Sequence, residues 1–299
     1  MKKKILIMGY GNMAQKYSDI IRKINSNITI KYYSSQKIKN NLYKEDKQIV
    51  KFNPDITIIC SSTSNHYAYL KKINNLIKKK IILVEKPIFD KEQSIVLNNK
   101  VLVGYNLRYD PMIREIKKLT KNQKIWSVEV FCNSYLPYWR KRNYQKSYSA
   151  NKKLGGGVLL DLSHEIDYLL WFFGDIKIKY AINNKISNLK IKSDDNLLVY
   201  GSSKNVKQII LHLNYYSKID NRTINISGKK INLKADLINK RMTIEKNGKN
   251  ISKTWKEKKF SKTFEKQIYS LLTKKNIYAA SYAEGLKVLK TIKQVNKLK

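Results

Sequence analysis

Cysteine is nearly absent from this chain of 299 residues: Cys60 and Cys132 are the only two. They fall on different expected strands without metal-ligand spacing, which excludes a disulfide framework and suits a reducing cytoplasm. The three histidines, His66, His164 and His212, are equally scattered, so a zinc site is not expected. No apolar run reaches the roughly 18 residues that a bilayer span requires. The best stretch is interrupted by Asp161, His164, Glu165 and Asp167. The basic start at Met1 to Lys4 runs into an apolar segment too short for a secretory signal, so a cytoplasmic protein is expected. Acidic residues are also scarce, 22 against 61 basic ones, giving a net charge of +39. That balance invites a nucleic-acid partner. The lysines are spread over every segment, however, and accompany heavy Ile and Asn usage, the pattern of an AT-rich coding background; no specific nucleic acid is expected.

What remains is a globular composition, 42% hydrophobic, long enough for two domains of ordinary size. The first half alternates strands and helices. An apolar strand at residues 4–8 runs into Gly9-Tyr10-Gly11-Asn12-Met13-Ala14, and Met13, Tyr17, Ile20, Ile21 and Ile24 then recur at helical spacing. Strand, G-x-G-x-x-A turn and helix fit a dinucleotide fingerprint: Gly9 for the tight turn, Gly11 for close approach of a pyrophosphate, Ala14 for helix–strand packing. The start of a SAM-dependent methyltransferase has a similar appearance. A second strand at 28–33 ends in Ser34-Ser35-Gln36-Lys37, with no acidic residue to hold ribose hydroxyls. Ser34, Ser35 and Lys37 suit a 2′-phosphate, which favours NADP(H) over NAD(H); an ordinary polar turn fits equally. Further strands end in Ser61-Ser62-Thr63-Ser64-Asn65-His66 and in Glu85-Lys86-Pro87. Ligands bind beyond the carboxyl ends of such strands, so Ser61, Ser62, Thr63, His66, Glu85 and Lys86 join Asn12, Met13 and the turn glycines as candidate cofactor residues.

Residues 154–174, LGGGVLLDLSHEIDYLLWFFG, form the other chemistry-bearing stretch. After Gly155, Gly156 and Gly157 the apolar pattern allows one continuous helix to Gly174. Asp161, His164, Glu165 and Tyr168 share a stripe on it, among Leu159, Leu160, Leu162, Ile166, Leu169 and Leu170. Buried ionisable groups are costly unless paired or used, so Asp161 and His164 are either a structural hydrogen-bonded pair or a proton-handling one.

Together the GYGNMA turn, SSTSNH, EKP, GYNLRYDP and GGGVLLDLSHEID, in that order from residue 9 to 167, resemble the Gfo/Idh/MocA family of NAD(P)-dependent oxidoreductases. The resemblance implies an α/β fold: an N-terminal Rossmann-type doubly wound parallel sheet, then a C-terminal α/β domain whose large, open, mostly antiparallel sheet makes a homodimer or homotetramer. It implies hydride transfer at a hydroxyl or carbonyl of a sugar or related compound. It also implies roles: Lys86 on the reacting oxygen, His164 as acid/base, Asp161 as its motif partner. One departure stands out, since Asp161 and His164 are one residue closer than in many members of the family. The run SYLPYWRKRNYQKSYSA resembles a branch associated with surface-glycan biosynthesis, and Arg108, Tyr138, Trp139 and Arg140 are candidate binders of a charged sugar.

The second half fits this plan. Strands are expected at 125–132, 176–182, 196–201, 206–216, 223–227, 230–233 and 241–245, followed by two amphipathic helices. The domains are expected at 1–119 and 120–299. Two rival classes remain at this level: a dinucleotide-binding protein without turnover, acting as sensor or assembly subunit, and a basic nucleic-acid binder, which would show steep salt dependence.

Overall fold

The computed structural model describes residues 3–36, 41–139, 141, 143–257, 261–275 and 277–298. Two compact units emerge: Met1–Tyr109 with Ser261–Leu286, and Asp110–Phe260 with Lys287–Lys299. This division differs from the linear border expected at Leu119, because the chain changes unit ten residues earlier. Asp110 caps the helix Pro111–Thr120, accepting the Met112 N–H at 2.9 Å, with Pro111 in the first turn. Leu119 lies inside that helix. The late helix Ser261–Thr273 also returns to the first unit, where Ile268, Leu271 and Leu272 complete a core with Tyr17, Ile20 and Ile21.

In the first unit the strands β1 (Lys4–Met8), β2 (Thr29–Tyr33), β3 (Leu42–Tyr43), β4 (Ile56–Ile59), β5 (Ile81–Val84) and β6 (Lys100–Val103) pair in parallel in the order β3-β2-β1-β4-β5-β6. A short strand, Ala280–Ser281, closes the edge antiparallel to β6. Because β1, β4 and β5 are covered on both faces, they read as nearly continuous apolar runs, interrupted only by Lys4 at the start of β1 and the buried Thr57 in β4, without the alternation of a half-exposed strand. The helices α1 (Asn12–Ile24), α2 (Asp46–Phe52) and α3 (His66–Leu76) connect them. Strand order reverses between β1 and β4, and that switch point is where an open α/β sheet leaves a crevice.

The second unit has α4 (Pro111–Thr120), β7 (Ile125–Tyr135), α5 (Val158–Asp161) and α6 (His164–Phe173). The strands β8 (Ile176–Asn184), β9 (Asn196–Ser203), β10 (Val206–Asn214), β11 (Tyr216–Gly228), β12 (Asn232–Asp236), β13 (Arg241–Lys246) and β14 (Lys249–Thr254) follow. They form one sheet, β14-β13-β12-β11-β7-β10-β9-β8, antiparallel except where β10 runs parallel to β7. β7 shows how the sheet is half covered. Val128, Val130 and Cys132 are buried, while Ser127, Glu129, Phe131 and Asn133 between them are partly exposed.

One expectation needs correction here. Residues 154–174 do not form a single helix: α5 stops at Asp161, Leu162 and Ser163 make a turn, and α6 starts afresh at His164. Leu162 sits at φ −94°, ψ 25°, outside helical geometry. Among the described residues, no helix is long and apolar enough to cross a membrane, and no cluster of His, Cys, Asp or Glu could hold a metal ion.

Candidate functional site

The carboxyl edge of the first sheet is held together by backbone bonds that extend each ladder past its last strand residue. Gly9 N donates to Tyr33 O at 2.9 Å, Cys60 N to Met8 O at 3.0 Å, Glu85 N to Ile59 O at 2.8 Å and Gly104 N to Val84 O at 2.7 Å. Gly9 has φ +108°, and a Cβ there would lie 2.9 Å from Ser61 N, so side chains are excluded by both conformation and space. Gly11 differs. Its φ is −88°, and an added Cβ would meet nothing within 4 Å. The open space at Gly11 lies at the N-terminus of α1, whose first N–H groups lack intrahelical partners and attract an anion. A dinucleotide pyrophosphate fits this cradle. Asn12 is exposed and Met13 half-buried, while Ala14 is wholly buried in the core.

Lys86 follows β5 and is half-buried, with a cis peptide bond to Pro87. Its neighbour Glu85 is buried. The Glu85 Oε1 accepts the Tyr17 hydroxyl, Oε2 accepts the Lys86 N–H at 3.2 Å, and Gly104 leaves room for the carboxyl, since a Cβ there would be 3.1 Å from Oε1. Burial raises the Glu85 carboxyl above its ordinary value, against the pull of Tyr17 and Lys86. Burial likewise raises the Tyr17 phenol and the Cys60 thiol. His66 is 1% exposed; Nδ1 lies 3.0 Å from Pro87 O and Nε2 3.2 Å from Ser61 O. It therefore faces the protein, whereas Ser61 and Ser62 keep partial exposure and Thr63 is buried.

Past β2, the buried Ser34 hydroxyl accepts the Gln36 N–H at 3.1 Å, closing its own turn, and Ser35 is exposed. Lys37 lies outside the described residues. Arg108 needs correction as a candidate sugar binder. Its side chain is 3% exposed and ion-paired with Glu284 at 2.7 Å, which makes it an internal strut of the first unit.

In the second unit the expected polar stripe divides into two environments, because of the break after α5. Asp161 turns its carboxylate to three hydroxyls: Tyr148, Ser149 at 2.7 Å and Tyr215 at 3.1 Å. Glu165, fully buried, instead takes Arg222 from β11 through Nε at 2.8 Å and Nη2 at 2.6 Å onto one oxygen. Cys132, opposite Arg222 in the ladder, has its thiol raised by burial and then by Glu165. His164 begins α6 and is partly exposed. Trp139 packs edge-on against Tyr215 at 5.1 Å and donates to Ser134 Oγ at 3.0 Å, which brings it into the Asp161 cluster. Tyr138 is 72% exposed and touches Tyr135. Arg140 lies outside the described residues.

The glycine triplet is explained by its neighbours. A Cβ on Gly156 would lie 2.1 Å from Tyr148 O, and one on Gly157 (φ +111°) 2.4 Å from the Asp194 carboxylate. Asp194 accepts the Leu159 N–H at 3.0 Å and so caps α5. Tyr148, Ser149, Asp194 and Tyr215 are the residues sequence reasoning missed. Gly104 and Tyr17, which house Glu85, also escaped it; Tyr17 registered only as a core position.

The parallel sheet with its reversal at β1/β4, and the glycine turn beside it, define a Rossmann-type protein with a second, sheet-forming unit. A model of the C-terminal alpha/beta domain of the oxidoreductase family matches residues 117–297, more than half of the chain. The chain belongs to the Gfo/Idh/MocA oxidoreductase family. It is 30% identical over 131 residues to YteT of Bacillus subtilis (strain 168), assigned as an oxidoreductase; the match covers 40% of this chain and 30% of YteT, less than a third of that relative's length. Among solved structures it resembles a levoglucosan dehydrogenase in complex with NADH, with a TM-score of 0.81 and 13% identity over 100% of this chain and 97% of the other. It also resembles UDP-N-acetylglucosamine 3-dehydrogenase GnnA from Acidithiobacillus ferrooxidans, with a TM-score of 0.76 and 12% identity over 100% and 98%. At these identities the structural likeness establishes the fold.

Proposed function

We propose that this chain is an NAD(P)-dependent oxidoreductase acting on a hydroxyl or carbonyl of a sugar, sugar acid or nucleotide sugar, in surface-glycan biosynthesis. The observation that carries this reading is the pairing, on one sheet edge, of a glycine turn shaped for a pyrophosphate with Lys86 at the end of β5. Two fold relatives named as dehydrogenases of a sugar and a nucleotide sugar support the substrate class.

Gly9, Gly11 and the first N–H groups of α1 would hold the dinucleotide phosphates, with Ser61 and Ser62 beside them. When bound, the nicotinamide supplies the hydride acceptor, or in reduction the donor. In oxidation His164 takes the hydroxyl proton while the Lys86 ammonium holds the developing oxyanion; in reduction Lys86 holds the same oxyanion and His164 gives the proton back. Asp161, already bonded to three hydroxyls, serves this scheme by fixing the segment that leads to His164. Tyr138 and Trp139 offer stacking surface for a sugar ring.

The residues after β2 favour NADP(H), through the missing acidic group and the exposed Ser35. The two buried, unbridged cysteines suit the cytoplasm. A homodimer or homotetramer would form on the open face of the second sheet, where the cross-strand partners Tyr180 and Tyr200 are 54% and 37% exposed.

The test is a panel of sugars, sugar acids and nucleotide sugars, incubated with each dinucleotide and followed by nicotinamide absorbance. Lys86→Ala should lower turnover by on the order of 100-fold or more with dinucleotide binding retained. Near-normal turnover would remove Lys86 from the chemistry. Dinucleotide binding with no hydride transfer on any substrate would favour the non-catalytic binding role.

A further inference from the structure

The buried His66 has a carbonyl oxygen at each ring nitrogen, Pro87 O at 3.0 Å from Nδ1 and Ser61 O at 3.2 Å from Nε2. A neutral imidazole carries one N–H and can donate to only one of them; only the imidazolium serves both. Burial lowers the basicity of His66. The carbonyls of Pro87 and Ser61, the Ile88 backbone and the Asp90 charge pull the other way without overcoming it. The ring is then neutral and must choose. The two carbonyls belong to the segments that follow β5 and β4, and Ser61 is bounded on its other side by Gly9, where not even a Cβ fits.

We propose that His66 is a positioning residue that donates its Nδ1–H to Pro87 O, fixing the segment that carries Lys86, while its Nε2 edge rests on Ser61. The bond ties the lysine segment to the N-terminus of α3, which His66 begins. This deepens the hydride-transfer proposal and rests on its assignment of Lys86.

The experiment is hydrogen exchange of the unliganded protein at residues 61–66 and 85–90, with NADPH and NADH titrations in parallel. His66→Phe keeps a ring but no donor; exchange across 85–90 should quicken, and dinucleotide affinity fall, by on the order of tenfold. His66→Asn places an amide nitrogen where Nδ1 sits and should restore both to within about threefold, whereas His66→Gln, reaching like Nε2, should not. The imidazole nitrogen spectrum of the wild-type protein should show Nδ1 protonated and Nε2 bare. An Nε2–H tautomer, or rescue by Gln in place of Asn, overturns the assignment. Equal exchange in all variants overturns the positioning role. If His66→Phe fails to fold, the Asn and Gln pair and the spectrum decide the matter. If the wild-type protein binds neither dinucleotide, the hydride-transfer proposal falls, and the exchange pattern still tests His66.

Discussion

The two glycines of the nucleotide turn should respond to the same substitution in opposite ways. Gly9→Ala puts a Cβ at φ +108°, 2.9 Å from the Ser61 backbone N and 3.1 Å from the Cys60 carbonyl carbon. These are backbone atoms at the end of β4 and cannot swing aside. Backbone strain of about 1–3 kcal/mol plus the clash gives a stability loss of roughly 2–4 kcal/mol. Gly11→Ala meets none of this, having φ −88° and open space. Reduced freedom of the unfolded chain adds about 0.4–1 kcal/mol of stability, and the poorer helix cap removes a similar amount, so the unliganded protein should change by less than about 0.5 kcal/mol. The same methyl would occupy the space assigned to a pyrophosphate, and dinucleotide affinity should fall by on the order of tenfold or more. Urea unfolding without cofactor and fluorescence titration with NADPH and NADH separate the two effects. A Gly11→Ala protein that binds as tightly as wild type would refute the phosphate cradle. A Gly9→Ala protein of unchanged stability would refute the packing argument.

Two further predictions concern buried charges. Glu85 has its carboxyl raised above the ordinary 4.5 by burial, so its stabilising contribution is full below that value and is lost as pH rises through the folded value. The melting advantage of Glu85→Gln over wild type should therefore grow from about pH 4.5 upward and then level off, which calorimetry across pH would read; a flat difference would contradict a costly buried carboxylate. Arg222→Met strands the fully buried Glu165 and should cost about 3–5 kcal/mol in urea unfolding, whereas the double change Arg222→Met with Glu165→Leu should recover most of it. Equal losses in the single and double variants would show that packing, rather than the stranded charge, sets the cost.

Which parts of this molecule are legible in its sequence follows from the range of the forces involved. The strand at Ile56–Ile59 and the turn at Gly9 are local: an apolar run covered on both faces and a backbone conformation that demands glycine leave their mark within a few residues. The break at Leu162 and Ser163 leaves no such mark, since neither residue is a strong helix breaker and the apolar spacing continues across it. An amphipathic stripe on Ser261–Thr273 announces a buried face without saying which core it joins. Arg108 is a long-range case. It has the composition of an anion binder until Glu284, 176 residues later, turns out to neutralise it.

The same distinction bears on which motif residues do chemistry. Glu85, His66, Arg108 and Asp161 all lie in motif segments, and the fold occupies each from within: a phenol and an N–H, two carbonyls, a carboxylate, three hydroxyls. Groups held and buried in this way define positions. Lys86 and His164, to which the proposed function gives the oxyanion and proton roles, each keep partly exposed surface, one at the end of a strand and the other at the start of a helix. On this reading the short spacing between Asp161 and His164 costs the reaction little. Asp161 closes α5 against Tyr148, Ser149 and Tyr215, the turn at Leu162 and Ser163 resets the helical phase, and His164 takes its orientation from α6, which Glu165 anchors to Arg222 one residue further on.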